Sequence, residues 1–201
     1  MVKYGIAEMD YISKKDPVMK ELVSRFGYLN MGMKDEKDIF TSLVISIVSQ
    51  MLSNSVADII VGRLMEKVVK ITPENVLSKG ADDIKSCGIS RRKAEYIVGL
   101  ARDVSDQKYD FSLLERMSDE EVIKYLMQIK GVGLWTAEMT AEFTMGRLNI
   151  FSYSDVALQN GIMKAHGYKT LSRLRFERLR KKYSPYCSVA SLYYYALNDE
   201  H

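Results

Sequence analysis

The chain has 201 residues, of which 47% are apolar and 27% charged, with a net charge of +3; this is ordinary for a globular protein with one substantial core or two small ones sharing a hinge. No apolar run approaches the roughly 18 residues of a membrane span, and the N-terminus, MVKYGIAEMDYISKKD, has neither the apolar core nor the cleavage site of a secretory signal, so the expected setting is intracellular. Cys87 and Cys187 stand a hundred positions apart and the only histidines are His166 and His201, which excludes a side-chain iron–sulfur or zinc framework.

Helical spacing recurs along the chain. After Pro17, the residues Met19, Leu22, Val23 and Phe26 follow the i, i+3, i+4, i+7 rule and Gly27 ends the element. Residues 31–37 read as a loop. From Asp38, the series Ile39, Phe40, Leu43, Val44, Ile47, Val48 and Met51 traces one wide apolar stripe, predicting a buried central helix. The polar run Ser49, Gln50, Ser53, Asn54 and Ser55 follows and opens a helix over 56–70. Thr72-Pro73 marks another start, with Thr as cap and Pro at the first helical position.

The turn Ser86-Cys87-Gly88-Ile89-Ser90 leads into RRKAEYIVGLARDV, where Ala94, Ile97, Val98, Ala101 and Val104 keep helical spacing. Ser118 and Glu121 form a capping box for a helix over 119–129. The turn Gly131-Val132-Gly133 comes next, then a helix from Leu134 to about Met145, with Gly146 as its stop. Further helices are predicted from near Asp155 to His166, over 171–182 and over 185–197. With three prolines and few alternating segments, the chain reads as all-α.

Helix, glycine turn, helix is a geometry that offers backbone N–H groups to a phosphate. Glycines at 131 and 133 permit φ > 0 and close backbone approach, and the next helix adds the positive end of its dipole. A G-x-G at a helix start is also often a simple turn. Asp155 stands where a helix begins, so a capping role is the plain account. The amides and dipole at such a position stabilise negative charge, which would also suit a carboxylate facing a developing positive charge. Met51, beside Gln50 at a polar tip, is either a core residue or an unbranched apolar wedge for a base stack. Trp135 is either core or a stacking surface for a flipped base. Tyr183, Tyr186, Tyr193, Tyr194 and Tyr195 crowd the last helix, some as core and one or two as an aromatic platform. The basic clusters Arg91–Lys93 and Arg173–Lys182 are either solvated helix faces or polyanion-binding surfaces.

These pieces together resemble the helix-hairpin-helix DNA glycosylase superfamily, and most of all its alkylation-repair branch, 3-methyladenine DNA glycosylase II. The matching segments are FTSLVISIVSQMLSNSVA (40–57), GISRRKAEYIVGLA (88–101), MSDEEVIKYLMQIKGVGLWTAEM (117–139), GRLNIFSYSDVAL (146–158) and YSPYCSVASLYYY (183–195). The resemblance covers about 40–197. It implies a two-lobed helical fold with a cleft between the lobes and no N-terminal β domain: a middle lobe over 36–140 carrying the hairpin, and a terminal lobe of 1–35 plus 141–201 carrying Asp155.

By the same resemblance, Asp155 is the catalytic carboxylate, and Gly131, Val132, Gly133 and Thr136 belong to the DNA-binding hairpin. Backbone carbonyls around Met127, Ile129 and Val132 can hold a structural monovalent cation there; no cofactor is required. Gln50 and Met51 form the DNA wedge, and Trp135 and Tyr186 line the base pocket. Family members that also cut the strand carry a nucleophilic lysine two residues after the second hairpin glycine. Here that residue is Trp135, Lys130 lies before the turn, and no C-terminal four-cysteine cluster is present. The chain departs from the family where Asn149 and Ser152 replace Asp and Pro, and where Cys187 replaces Arg; these changes bear on substrate range.

The implied function is hydrolysis of the N-glycosidic bond of an alkylated base flipped from duplex DNA, by a monomer that meets no membrane and associates with the nucleoid when bound to DNA. Two rival readings fit the same residues. One is a bifunctional glycosylase/lyase or an enzyme for oxidised or deaminated bases. The other is a non-catalytic hairpin module.

Overall fold

The structure is a computed structural model that describes residues 4–30 and 38–200. All regular structure among the described residues is helical: eleven α-helices, a 3₁₀ turn at Phe111–Arg116 and a π-helical turn at Thr140–Thr144. None of these helices is long and apolar enough to cross a membrane. The loop expected at 31–37 lies outside the described residues, as does His201. The chain divides into two compact units, Glu36–Thr140 and the discontinuous pair Met1–Asp35 with Ala141–His201.

In the continuous unit, α3 (Ile39–Ser49) buries Phe40, Leu43, Val44, Ile47 and Val48. The apolar stripe read from the sequence therefore ends one turn early. Met51 has left the helix, with φ of 61°, and its side chain is fully exposed. Helix α4 (Asn54–Val68) packs on α3 and on α5 (Pro73–Ser86). The hydroxyl of Thr72 accepts from Asn75 N–H at 3.3 Å, as its Thr-Pro start predicts, and Gly80 kinks α5 with φ of 74°. Helix α6 (Arg91–Ser105) lies along α5 and α3, burying Ala94, Ile97, Leu100 and Ala101; Leu100 takes the buried place expected of Val98 and Val104. The Ser118–Glu121 capping box opens α7 (Asp119–Leu126), which packs on α8 (Leu134–Met139). The helix expected to reach Met145 changes to π geometry at Thr140, and Gly146 follows with φ of 71°.

In the other unit, α1 (Ile6–Lys15) and α2 (Pro17–Phe26) pair with one another and pack on the C-terminal helices α9 (Val156–His166), α10 (Arg173–Tyr183) and α11 (Cys187–Asp199). Its core joins Ile12, Met19, Leu22, Leu158, Ile162, Phe176, Tyr183, Tyr193 and Tyr194. Three tyrosines of the C-terminal cluster are thus core. Their hydroxyls still need partners. Tyr193 donates to the Gly27 carbonyl at 2.9 Å, and Tyr183 bonds Tyr194 at 2.7 Å and Asp16 at 2.6 Å. Asp16 also caps α2 through Val18 N–H at 3.0 Å and pairs with Lys182 at 2.8 Å. Two helices meet backbone to side: a Cβ on Gly161 of α9 would lie 2.1 Å from the Tyr194 carbonyl oxygen of α11.

Candidate functional site

The hairpin is built between α7 and α8. The Ile129 carbonyl accepts from Val132 N–H at 3.0 Å, which closes the turn. Gly131 sits at φ of 92°, where an L side chain is strained, and a Cβ there would fall 2.5 Å from the Tyr96 ring. Glycine at 131 is therefore required on two counts. Gly133 differs from the expectation: φ is −92° and a Cβ would meet nothing within 4 Å. It is the exposed residue preceding α8, and its small size leaves the backbone open to approach.

The first helical bond of α8 runs from Ala137 N–H to the Gly133 carbonyl at 3.0 Å, so the amides of residues 134–136 come ahead of the ladder. Gly133, Leu134 and Trp135 form an exposed run, with Trp135 44% exposed. The single tryptophan is not core. Val132 and Thr136 are buried, so their side chains are withdrawn from the surface that the run presents.

Gln50, the residue before Met51, is joined to this hairpin. Gln50 Nε2 donates to the Gly131 carbonyl at 2.9 Å, so the side chain next to the exposed methionine also grips the turn. Lys93 was legible only as part of a basic run. Its ammonium donates to the carbonyls of Val48 at 2.9 Å and Gln50 at 2.5 Å, and burial pulls its pKa below the usual lysine value. Of its neighbours, Arg91 pairs with Asp82 and Glu95, and Arg92 lies over the Tyr96 ring.

In the other unit, Asp155 is 5% exposed and caps α9, its Oδ1 accepting from Leu158 N–H at 2.8 Å. The capping role is real. Capping and a chemical role are compatible, because the helix-end amides that hold Asp155 also favour its ionised form. The link that leads to it is held by Ser188, which sequence reasoning missed. Ser188 N–H donates to the Leu148 carbonyl at 2.9 Å, and its hydroxyl accepts from Ile150 N–H at 2.9 Å and donates to the Arg147 carbonyl at 2.7 Å. Phe151 then stacks on Phe176 with ring centroids 4.6 Å apart. Ser188 follows Tyr186 by two residues, so the expected pocket aromatic and the link to Asp155 share one anchor. Tyr186 is partly buried and meets Tyr11 edge-on at 5.1 Å. No local signal marks Ser188, whose partners are about forty residues away in sequence.

The three departures from the family pattern are packed residues. Ser152 is fully buried and its hydroxyl lies 3.1 Å from that of Ser154. The Asn149 side-chain oxygen is buried without a hydrogen-bond partner among the described residues. Cys187 is buried and directs its thiol at the Arg180 carbonyl at 3.2 Å; burial pushes its pKa up to about 12, so it is held as a thiol and is unreactive. Around α10, Arg173 and Arg180 pair with Glu177, Lys182 with Asp16, and Arg173 covers the Tyr153 ring at 4.5 Å. Much of that basic run is committed to its own unit. No cluster of three or more His, Cys, Asp or Glu residues able to hold a metal occurs among the described residues.

Residues 44–185 match the family described as HhH-GPD superfamily base excision DNA repair protein. A crystal structure of a DNA-3-methyladenine glycosidase from Bacillus halodurans superposes with a TM-score of 0.86 at 33% identity, over 96% of this chain and 89% of that one. The Schizosaccharomyces pombe 3-methyladenine DNA glycosylase Mag1, solved in complex with abasic DNA, gives 0.80 at 26% identity over 94% and 95% of the two chains. The Bacillus subtilis protein YfjP is 35% identical over 123 residues, which is 60% of this chain but 42% of that relative's length.

Proposed function

The chain belongs to the HhH-GPD superfamily of base excision DNA repair proteins, and on that footing we propose that it is a monofunctional DNA glycosylase that releases alkylated bases of the 3-methyladenine type from duplex DNA. The observation that carries the reading is Asp155, a carboxylate held by Leu158 N–H at the end of a link clamped by Ser188.

In this reading the backbone amides around Gly133 bind phosphate without regard to sequence, and Met51 fills the gap left when the damaged nucleotide swings out. Trp135 and Tyr186 offer stacking faces. An alkylated purine is already positively charged, so it leaves with the bonding electron pair and needs no general acid. Stacking such a ring on an aromatic face contributes about 1–2 kcal/mol when desolvated. The sugar left behind is oxocarbenium-like, and Asp155 stabilises that charge and orients the water that adds at the anomeric carbon. The carbonyls of Met127, Ile129 and Val132 would hold a monovalent cation, whose positive charge would favour binding of the DNA backbone; the Ile129 oxygen keeps a lone pair beside its bond to Val132. The Gly131 carbonyl accepts from Gln50 Nε2.

The test is base release from duplexes carrying 3-methyladenine, 7-methylguanine, hypoxanthine or 8-oxoguanine. Asp155→Asn should bind DNA as wild type does yet lose base release by about a thousandfold, the scale on which a preorganised electrostatic group acts. Wild-type release by that variant would sink the assignment. With Trp135 in the lysine position, borohydride should trap no covalent protein–DNA adduct; a trapped adduct would indicate lyase chemistry instead.

A further inference from the structure

We propose that Lys93 is a positioning residue that fixes the Gln50–Ser53 loop and couples it to the glycine hairpin, an inference that rests on the reading of Met51 as the duplex wedge. The last carbonyls of a helix have no partner within it, and a cation placed there also complements the helix dipole. Lys93 supplies both at the end of α3 through its bonds to the Val48 and Gln50 carbonyls. Gln50 is thereby gripped twice, by Lys93 through its main chain and through its own side chain on Gly131.

The next residue, Met51, stands at φ of 61°, a backbone region that L residues avoid, with its side chain wholly in solvent. Such a conformation persists only where its surroundings over-determine it. Here the flanking anchors are the Lys93 bonds on one side and the Leu52 N–H to Ser49 carbonyl bond, 3.1 Å, on the other. Lys93 thus acts through the loop, and not as a phosphate contact.

The experiment measures affinity for a duplex carrying a tetrahydrofuran abasic analogue and for the same duplex undamaged, across a salt series. Wild type, Lys93→Met, Lys93→Arg, Met51→Ala and Lys93→Met/Met51→Ala are compared, with thermal melts confirming the fold. Lys93→Met should bind the abasic duplex about tenfold more weakly, the scale of losing hydrogen bonds from a charged donor. It should cost nothing further in the Met51→Ala background, and the salt slope on undamaged duplex should stay at the wild-type value. Lys93→Arg keeps donors at the same helix end, so it should fold as wild type and show a smaller loss that also vanishes with Met51→Ala; should Lys93→Met fail to fold, this variant decides the question.

Unchanged affinity of the Lys93 variants beside an impaired Met51→Ala would overturn the inference alone. So would an undiminished loss in the Met51→Ala background, or a salt slope reduced by about one, the signature of a phosphate contact. Full affinity of Met51→Ala would remove the wedge role itself, and the inference with it.

Discussion

At Gly131 a methyl group has nowhere to go: φ is 92° and the Tyr96 ring lies 2.5 Å from where a Cβ would stand. Gly131→Ala should therefore destabilise the protein by about 2–3 kcal/mol, combining backbone strain with a clash against an aromatic ring. At Gly133 neither condition holds, so Gly133→Ala should leave stability within about 1 kcal/mol of wild type and be felt mainly in DNA binding. Paired thermal melts and duplex-binding measurements separate the two. In sequence these glycines look equivalent. What distinguishes them is the positive φ of Gly131 and the Tyr96 ring, brought in by another helix, and no local pattern announces that contact. Lys93 was hidden in the same way, since three consecutive basic residues look alike until one is seen to cap a distant helix.

The helices themselves were largely legible, because most begin and end with side chains that act within one turn. Thr72, Ser118 and Asp155 cap as their positions predict, and Gly167 closes α9 in the left-handed conformation. Helix α1 was missed for the converse reason. Gly5 supplies no capping side chain, and only Ile12 of the helix is fully buried, so the apolar stripe is too thin to stand out. The early end of α8 was also illegible, because Thr140–Thr144 keeps helical composition while its hydrogen bonds lengthen to π spacing. Gly161 shows what a helix interior can conceal. A glycine there costs about 1 kcal/mol in helix propensity, yet Gly161→Ala should be far worse, because its Cβ would sit 2.1 Å from the Tyr194 carbonyl and force α9 off α11. A loss above about 3 kcal/mol is expected; a variant that melts at or above the wild-type temperature would refute the close packing.

On the scale of the molecule, one polar chain runs through the discontinuous unit. His166 bonds Tyr194 at 2.9 Å, Tyr194 bonds Tyr183, Tyr183 bonds Asp16, and Asp16 pairs with Lys182. His166 is desolvated and stacked on Tyr168, and burial lowers its pKa below 6.5, with the charge of Asp16 opposing that shift and the charge of Lys182 adding to it. The unfolded chain then binds the proton more readily, so stability is at its full value above pH 6.5 and falls as the pH drops below it. Asp16 behaves on a separate scale. Burial opposes but does not outweigh its bonds from Lys182, Tyr183 and Val18, so its pKa lies below 3.8 and its contribution is lost only as the pH falls below that value. Between pH 7.5 and 5.5 the melting temperature of wild type should fall more than that of His166→Gln; parallel declines would show that His166 does not govern this window.

The interrupted connectivity of that unit also orders events during synthesis. Ile12, Met19 and Leu22 leave the ribosome before the continuous unit, and the helices that cover them follow the whole of Glu36–Thr140, a stretch of 105 residues counted from 36 to 140. At ordinary translation rates this is roughly 5–20 s. The continuous unit can collapse on its own contacts as it emerges, whereas α1 and α2 wait for the later helices that pack on them. Nascent chains stalled before α9 should therefore expose an apolar N-terminal helix pair, which a holdase chaperone would be expected to bind until the C-terminal helices arrive.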